Sequence, residues 1–153
     1  MTINTENLVD DFISNLKKIF DDNMKSLGLK EVFKNDILLI PTTPSLALSC
    51  TSMWSDQRTI GKTHVRYTFN FIGTLWYYHG EVNPDIDRNI VMRHAYKIAH
   101  HIIQNSSLNG WLTNERADVR ACAYSPRARS GMLLASARIM IVAPYLAQIN
   151  ITG

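Results

Sequence analysis

The side chains in this chain that could do chemistry are five histidines, two cysteines and scattered serines and aspartates. A metal ion needs His, Cys or carboxylate groups that converge, which on a helix means residues three or four apart. His94, His100 and His101 fall in one helical segment, but 94 and 100 are six apart. The adjacent pair projects about 100° apart around the axis. No HExxH occurs, so His94 and one of the adjacent pair read as partly buried, hydrogen-bonded side chains. Ser130 stands before Gly131 without a GxSxG elbow, and no histidine is positioned by sequence beside Cys50 or Cys122. Asp85 and Asp87 sit at a helix start, where the helix dipole accounts for both. Neither GxGxxG nor a Walker sequence is present, so a nucleotide site has no support. The expectation is a protein without catalysis, metal or cofactor.

The remaining residues of interest are contact residues. Trp54, Arg58 and Lys62, together with Asp56, fall in one stretch that reads as the loop Trp54–Gly61 between two strands. Arg127 and Arg129 lie between Pro126 and Gly131, which reads as a turn. These five are candidate contact residues, and the two arginines could meet phosphate, an acidic partner surface or nothing but water. A solvated turn, and a tryptophan folded back on its own hairpin, are the plain alternatives.

The elements that must position them follow from periodicity. Val65, Tyr67, Phe69 and Phe71 alternate with Arg66, Thr68 and Asn70, and Leu75 and Tyr77 resume that phase after Gly73. Lys62–Tyr78 therefore predicts a long strand with one face on a core, with a bulge or close backbone approach at Gly73. Leu8, Phe12, Leu16, Ile19, Phe20, Met24 and Leu27 make the stripe of a first helix, capped by Asn4 or Thr5 and ended by Gly28. A short strand is expected at Asp36–Ile40, stopped by Pro41, and another at about Ser45–Met53 that pairs back as a hairpin. Pro84 opens a second helix that ends near Asn105, with Ile86, Ile90, Val91, Ala95, Ile98, Ala99 and Ile102 buried. A last hairpin joins Asp118–Tyr124 to Met132–Ile149, and Pro144 places its distal half on an edge or past a bulge. Strands joined by short turns with two striped helices predict an α+β domain. It is an antiparallel sheet with two main amphipathic helices packed on one face.

Composition bounds the rest. A chain of 153 residues, 46% hydrophobic and 19% charged, fits one ordinary folded domain over 1–153. The net charge of +3 is mild and uneven: residues 1–36 hold seven acids and five bases, residues 111–153 two acids and five arginines. One end is basic, but without the density of a nucleic-acid binder. Cys50 and Cys122 read as free thiols of a reducing compartment, with a disulfide the alternative. No signal peptide opens the chain and no apolar run approaches the ~20 residues of a membrane span, so manufacture in the cytoplasm is expected.

Over Thr5–Ile149 the layout resembles the tail-terminator proteins of long-tailed bacteriophages, the minor tail protein U type. The resemblance rests on the opening helix, LLIPTTPSLALSC, the strand VRYTFNFIG, the helix end IIQNSSLNGWL and the closing VRACAYSPRARSGMLLASARIMIV. It implies a structural virion protein. Such proteins form a ring, usually a homohexamer, that caps the finished tail tube protein and joins the tail to a neck or connector protein. In contractile tails the ring also touches the sheath protein, and DNA passes its lumen without specific binding. The long Trp54–Gly61 stretch departs from the compact members, so another neck or head–tail completion ring is the alternative, ahead of a small α+β enzyme.

Overall fold

The computed structural model describes residues 7–35, 42–56, 64–78, 84–112, 115–125, 127–129 and 132–148. The alternating aromatic stretch forms β3, His64–Tyr78, and everything else is arranged around it. β2, Ser45–Asp56, runs antiparallel along one side of it, and β6, Met132–Gln148, antiparallel along the other. β4, Asp118–Tyr124, pairs with the far side of β6, and β1, Glu31–Phe33, pairs with β2. The sheet order is β1-β2-β3-β6-β4, with the three-residue β5, Arg127–Arg129, also on β6. Two helices, α1 (Leu8–Asp22) and α3 (Pro84–Gln104), cover one face of this mostly antiparallel sheet; the fold is α+β, as expected.

β3 has the predicted phase. Phe69, Phe71 and Leu75 point at the helices and are fully buried, as are Leu46 and Leu48 of β2 and Ile139 and Ile141 of β6. Phe12 of α1 lies among them, with ring centroids 4.6 Å from Phe69, 5.6 Å from Phe71, 5.3 Å from Tyr145 and 4.7 Å from Trp111. At Gly73 the close approach is real and the bulge is not. A Cβ there would sit 3.3 Å from the Leu46 Cδ1, while pairing runs unbroken through Gly73 on both sides. The bulge falls instead in β2, between Cys50 and Ser52. Side chains staple it: the Thr51 hydroxyl donates to the Asn70 carbonyl at 3.2 Å, and Asn70 Nδ2 donates to Ser52 Oγ at 2.8 Å.

Several expectations need correction. The first helix does not run unbroken to Leu27: it stops at Asp22, and the short α2, Met24–Leu27, follows. Asn23 causes the break, because its side-chain amide donates to the Ile19 carbonyl at 2.7 Å and competes with the helical pattern. Asn7, not Asn4 or Thr5, precedes the helix, and Asn4 and Thr5 lie outside the described residues. So does the expected strand Asp36–Ile40; the first strand found is Glu31–Phe33, and it is parallel to β2. Ile90 was expected in the buried face of the second helix but is 46% exposed, because Val91 takes the inward position of that turn. Pro144 agrees with its edge reading: β4 reaches only to Val142 on that side of β6. The sheet also has a second small cluster that alternation alone does not show. Trp76, Ala47 and Leu134 are buried on the face away from the helices, with Phe33 against them.

Candidate functional site

Of the five candidate contact residues, Arg58 and Lys62 lie outside the described residues. Trp54 is not in a loop. It belongs to β2, opposite Thr68, because the pairing of β2 with β3 continues past the bulge to Asp56 and Arg66. Arg127 and Arg129 are not in an open turn either. They form β5, opposite Leu134 and Met132, in the same register that pairs Tyr124 with Ala137. β4 and β5 are thus one interrupted arm of the last hairpin. Between them the Ser125 backbone N–H donates to the Ser136 carbonyl at 2.7 Å, and the buried Ser136 hydroxyl donates to the Ser125 carbonyl. Pro126, which falls between β4 and β5, lies outside the described residues. The structure places Trp54 toward one end of β2 and the two arginines in a separate strand on β6, so it does not assemble one contact cluster from them.

The most built polar arrangement is one the sequence only half announces. His94 on α3 places Nε2 2.5 Å from the Leu27 carbonyl and bonds Nδ1 to the Tyr77 hydroxyl of β3. A carbonyl can only accept, so Nε2 carries the proton and Nδ1 receives the tyrosine O–H. Burial pushes the His94 pKa below the usual histidine range; the Leu27 bond opposes this and Lys97 adds to it. Burial likewise raises the Tyr77 pKa. The pair ties the end of α2, β3 and α3 together. An open pocket of about 360 Å³ beside it is lined by Leu27, Gly28, Tyr77, Ile90, Arg93, His94 and Lys97. A neutral histidine and an un-ionised tyrosine that satisfy each other make a clamp between these elements. Among the described residues no three His, Cys, Asp or Glu groups come close enough to hold a metal ion.

The α3–β4 connection is the other unusual element. Leu108, Asn109 and Gly110 all have positive φ, of 51°, 58° and 86°. Leucine adopts this left-handed conformation only at a cost, here offset because its side chain is fully buried. Asn15 of α1 donates to the Leu108 carbonyl at 3.0 Å, and the Asn105 amide donates to Asn109 Oδ1 at 2.8 Å. The connection is pinned to α1 and delivers Trp111 onto Phe12.

What the surface offers is contact area. Tyr96 and Ile103 of α3 are 62% and 51% exposed and overhang β4, where a pocket of about 270 Å³ is lined by them with Ala99, Val119, Arg120, Ala121 and Cys122. On the face away from the helices, Thr68, Asn70, Met140 and Val142 line a shallow depression with Arg120. Cys50 and Cys122 are free and half-buried, one on β2 and one on β4, and burial raises the pKa of both thiols. No described helix is long and apolar enough to cross a membrane. No protein-family model matches the chain, and no characterised protein matches its sequence.

Proposed function

We propose that this chain is a structural virion protein of a long-tailed bacteriophage. It forms a ring that caps the tail tube and connects the tail to the neck. The observation that carries the reading is a pair of unlike margins on a single small sheet that have no strand partner among the described residues: β2 beyond its short cover by β1 on one side, β4 on the other. A ring subunit meets its two neighbours through two different surfaces, and such a sheet presents them. The helix, aromatic hairpin, helix and terminal hairpin in that order also fit the tail-terminator resemblance of the sequence. In this role the protein works by contact. Its partners are copies of itself, the tube protein below and a neck or connector protein above, with a sheath protein added where the tail contracts. DNA crosses the lumen unbound.

Deletion of the gene from the phage that carries it tests this. Particles lacking the protein are expected to bear tails of irregular length, or tails unjoined to heads, and added protein should restore both. Normal tails joined to full heads would refute the proposal. Tails of normal length that fail only at joining would favour the neck-ring alternative over the terminator. Glutamate at both Arg127 and Arg129 is expected to leave circular dichroism unchanged while blocking completion, since both arginines lie on a hairpin arm at the sheet's border.

A further inference from the structure

We propose that the outer edge of β4 accepts the outer edge of β2 from a second copy of this chain, antiparallel, so that the sheet continues from subunit to subunit. The head-to-tail sense of this pairing rests on the ring reading above; the edge-to-edge contact rests on four observations. Among the described residues, β4 pairs only with β6, leaving a seven-residue edge whose outward N–H and C=O groups lack a strand partner. At the opposite margin β1 covers only Ser45–Ala47, and among the described residues no strand pairs with β2 from Leu48 to Asp56 on that side. Such edges are templates for pairing with another chain.

Direction agrees. β2, β3, β6 and β4 alternate antiparallel in that order, so β4 runs opposite to β2. A copy set beside the first in the same orientation therefore meets β4 with an antiparallel strand, the more stable arrangement.

The helix layer agrees as well. α3 overhangs the β4 margin with exposed Tyr96 and Ile103, apolar area that a neighbouring layer would cover. α1 lies over the other margin, on β1 and β2. From Arg88 to Gln104, α3 carries Arg88, Arg93 and Lys97 and no acid, whereas α1 exposes Asp10, Asp11, Asp21 and Asp22 against two bases, Lys18 and the Lys17 that pairs with Asp21. The continued sheet brings these two helices of successive copies side by side, base against acid, which fixes orientation more than it adds affinity. A strand and a helix flank together also offer more buried surface than an edge alone, as a stable contact of roughly 1,600 Å² requires.

One register stands out. It places Cys122 opposite Cys50 of the second copy, setting two half-buried free thiols against each other. Both cysteines pack at the fringe of the helix-side core, so they share a face. Directly opposed antiparallel residues have Cα atoms about 4.5–5.5 Å apart, inside the range a disulfide spans.

Oxidation of the purified protein with copper–phenanthroline, followed by non-reducing electrophoresis and sedimentation, tests the pairing. Wild type is expected to give a ladder of covalent multimers. Cys50→Ser and Cys122→Ser should each give none alone and dimers only when mixed. Dimers from either single variant alone would mean like edges meet, and would overturn the proposal. Multimers by sedimentation without cross-links would also overturn it, yet leave a ring built through other surfaces standing. A monomer at every concentration would overturn it too; the ring reading is then judged separately by tail length in deletion particles.

Discussion

Replacing Phe12 with alanine should remove a large share of the stability of the domain. Phe12 is fully buried and touches four rings, from β3, β6 and the α3–β4 connection, at centroid distances between 4.6 and 5.6 Å. Truncating a buried phenylalanine costs about 3–5 kcal/mol through lost transfer and the cavity left behind. Each aromatic pair adds ~0.5–1.5 kcal/mol, though these terms do not sum freely. The upper part of that range, about 4–5 kcal/mol, is therefore expected for Phe12→Ala. A domain of this size has roughly 5–15 kcal/mol in total. Phe12→Leu keeps most of the apolar volume and should cost ~1.5 kcal/mol or less. Urea unfolding followed by far-UV circular dichroism measures both. Tryptophan emission gives a second probe, because Trp111 packs edge-on against the Phe12 ring. A Phe12→Ala protein within about 1.5 kcal/mol of wild type would mean that α1 is not seated over β3, and the packing described above would be wrong.

Stability is also expected to fall as pH drops from about 7.5 to 5. The His94 and His101 pKa values are both held below the ordinary ~6.5 by burial. The unfolded chain therefore takes up protons first, and the stabilisation present above that value is lost as pH falls through the folded values. His94→Gln should flatten the slope measured by denaturant unfolding; an unchanged slope would exclude His94 as a source. Gly73→Val should cost ~2 kcal/mol or more in melting experiments, because even a Cβ there presses on Leu46. A variant as stable as wild type would show that Leu46 yields freely. Phe69→Asp should abolish cooperative folding, since an unpaired buried carboxylate costs ~5 kcal/mol or more. Arg129→Ala should cost about 0.5 kcal/mol or less. A soluble, cooperatively melting Phe69→Asp protein would invert the phase of β3.

Periodicity made much of this architecture legible. The α1 stripe, the phase of β3 and the β2–β3 hairpin all come from repeats of 3.6 or 2 residues, which burial writes directly into a sequence. What was not legible depends on partners distant in the chain. Glu31–Phe33 is too short to show alternation, and its parallel pairing with β2 is a tertiary fact. The break at Asn23 depends on one side-chain hydrogen bond. Trp54 looked like loop because polar Ser52, Ser55 and Asp56 surround it, but edge strands tolerate such residues when backbone pairing carries them. The same holds for Arg127 and Arg129, where proline and glycine concealed a hairpin arm. The His94–Tyr77 clamp joins residues 17 apart, and only its histidine carried a signal in the sequence.

The place of β6 has a consequence for how the protein is made. It follows both β3 and β4 in the chain, yet it lies between them in the sheet. During synthesis β4 leaves the ribosome before the one strand it pairs with, and β3 emerges with half of its backbone partners still unmade. Phe71 must wait for Ile141, 70 residues later, before that ladder can close. Contacts so far apart in sequence make folding slow, and they leave apolar strand exposed on the nascent chain. The same order decides what a truncated product lacks. A product terminated before residue 132 lacks the centre of its sheet rather than its border, so β4 has α3 beside it but none of the described strands to pair with. Incomplete copies therefore lack the β4 margin, although every strand of the β2 margin has already been made.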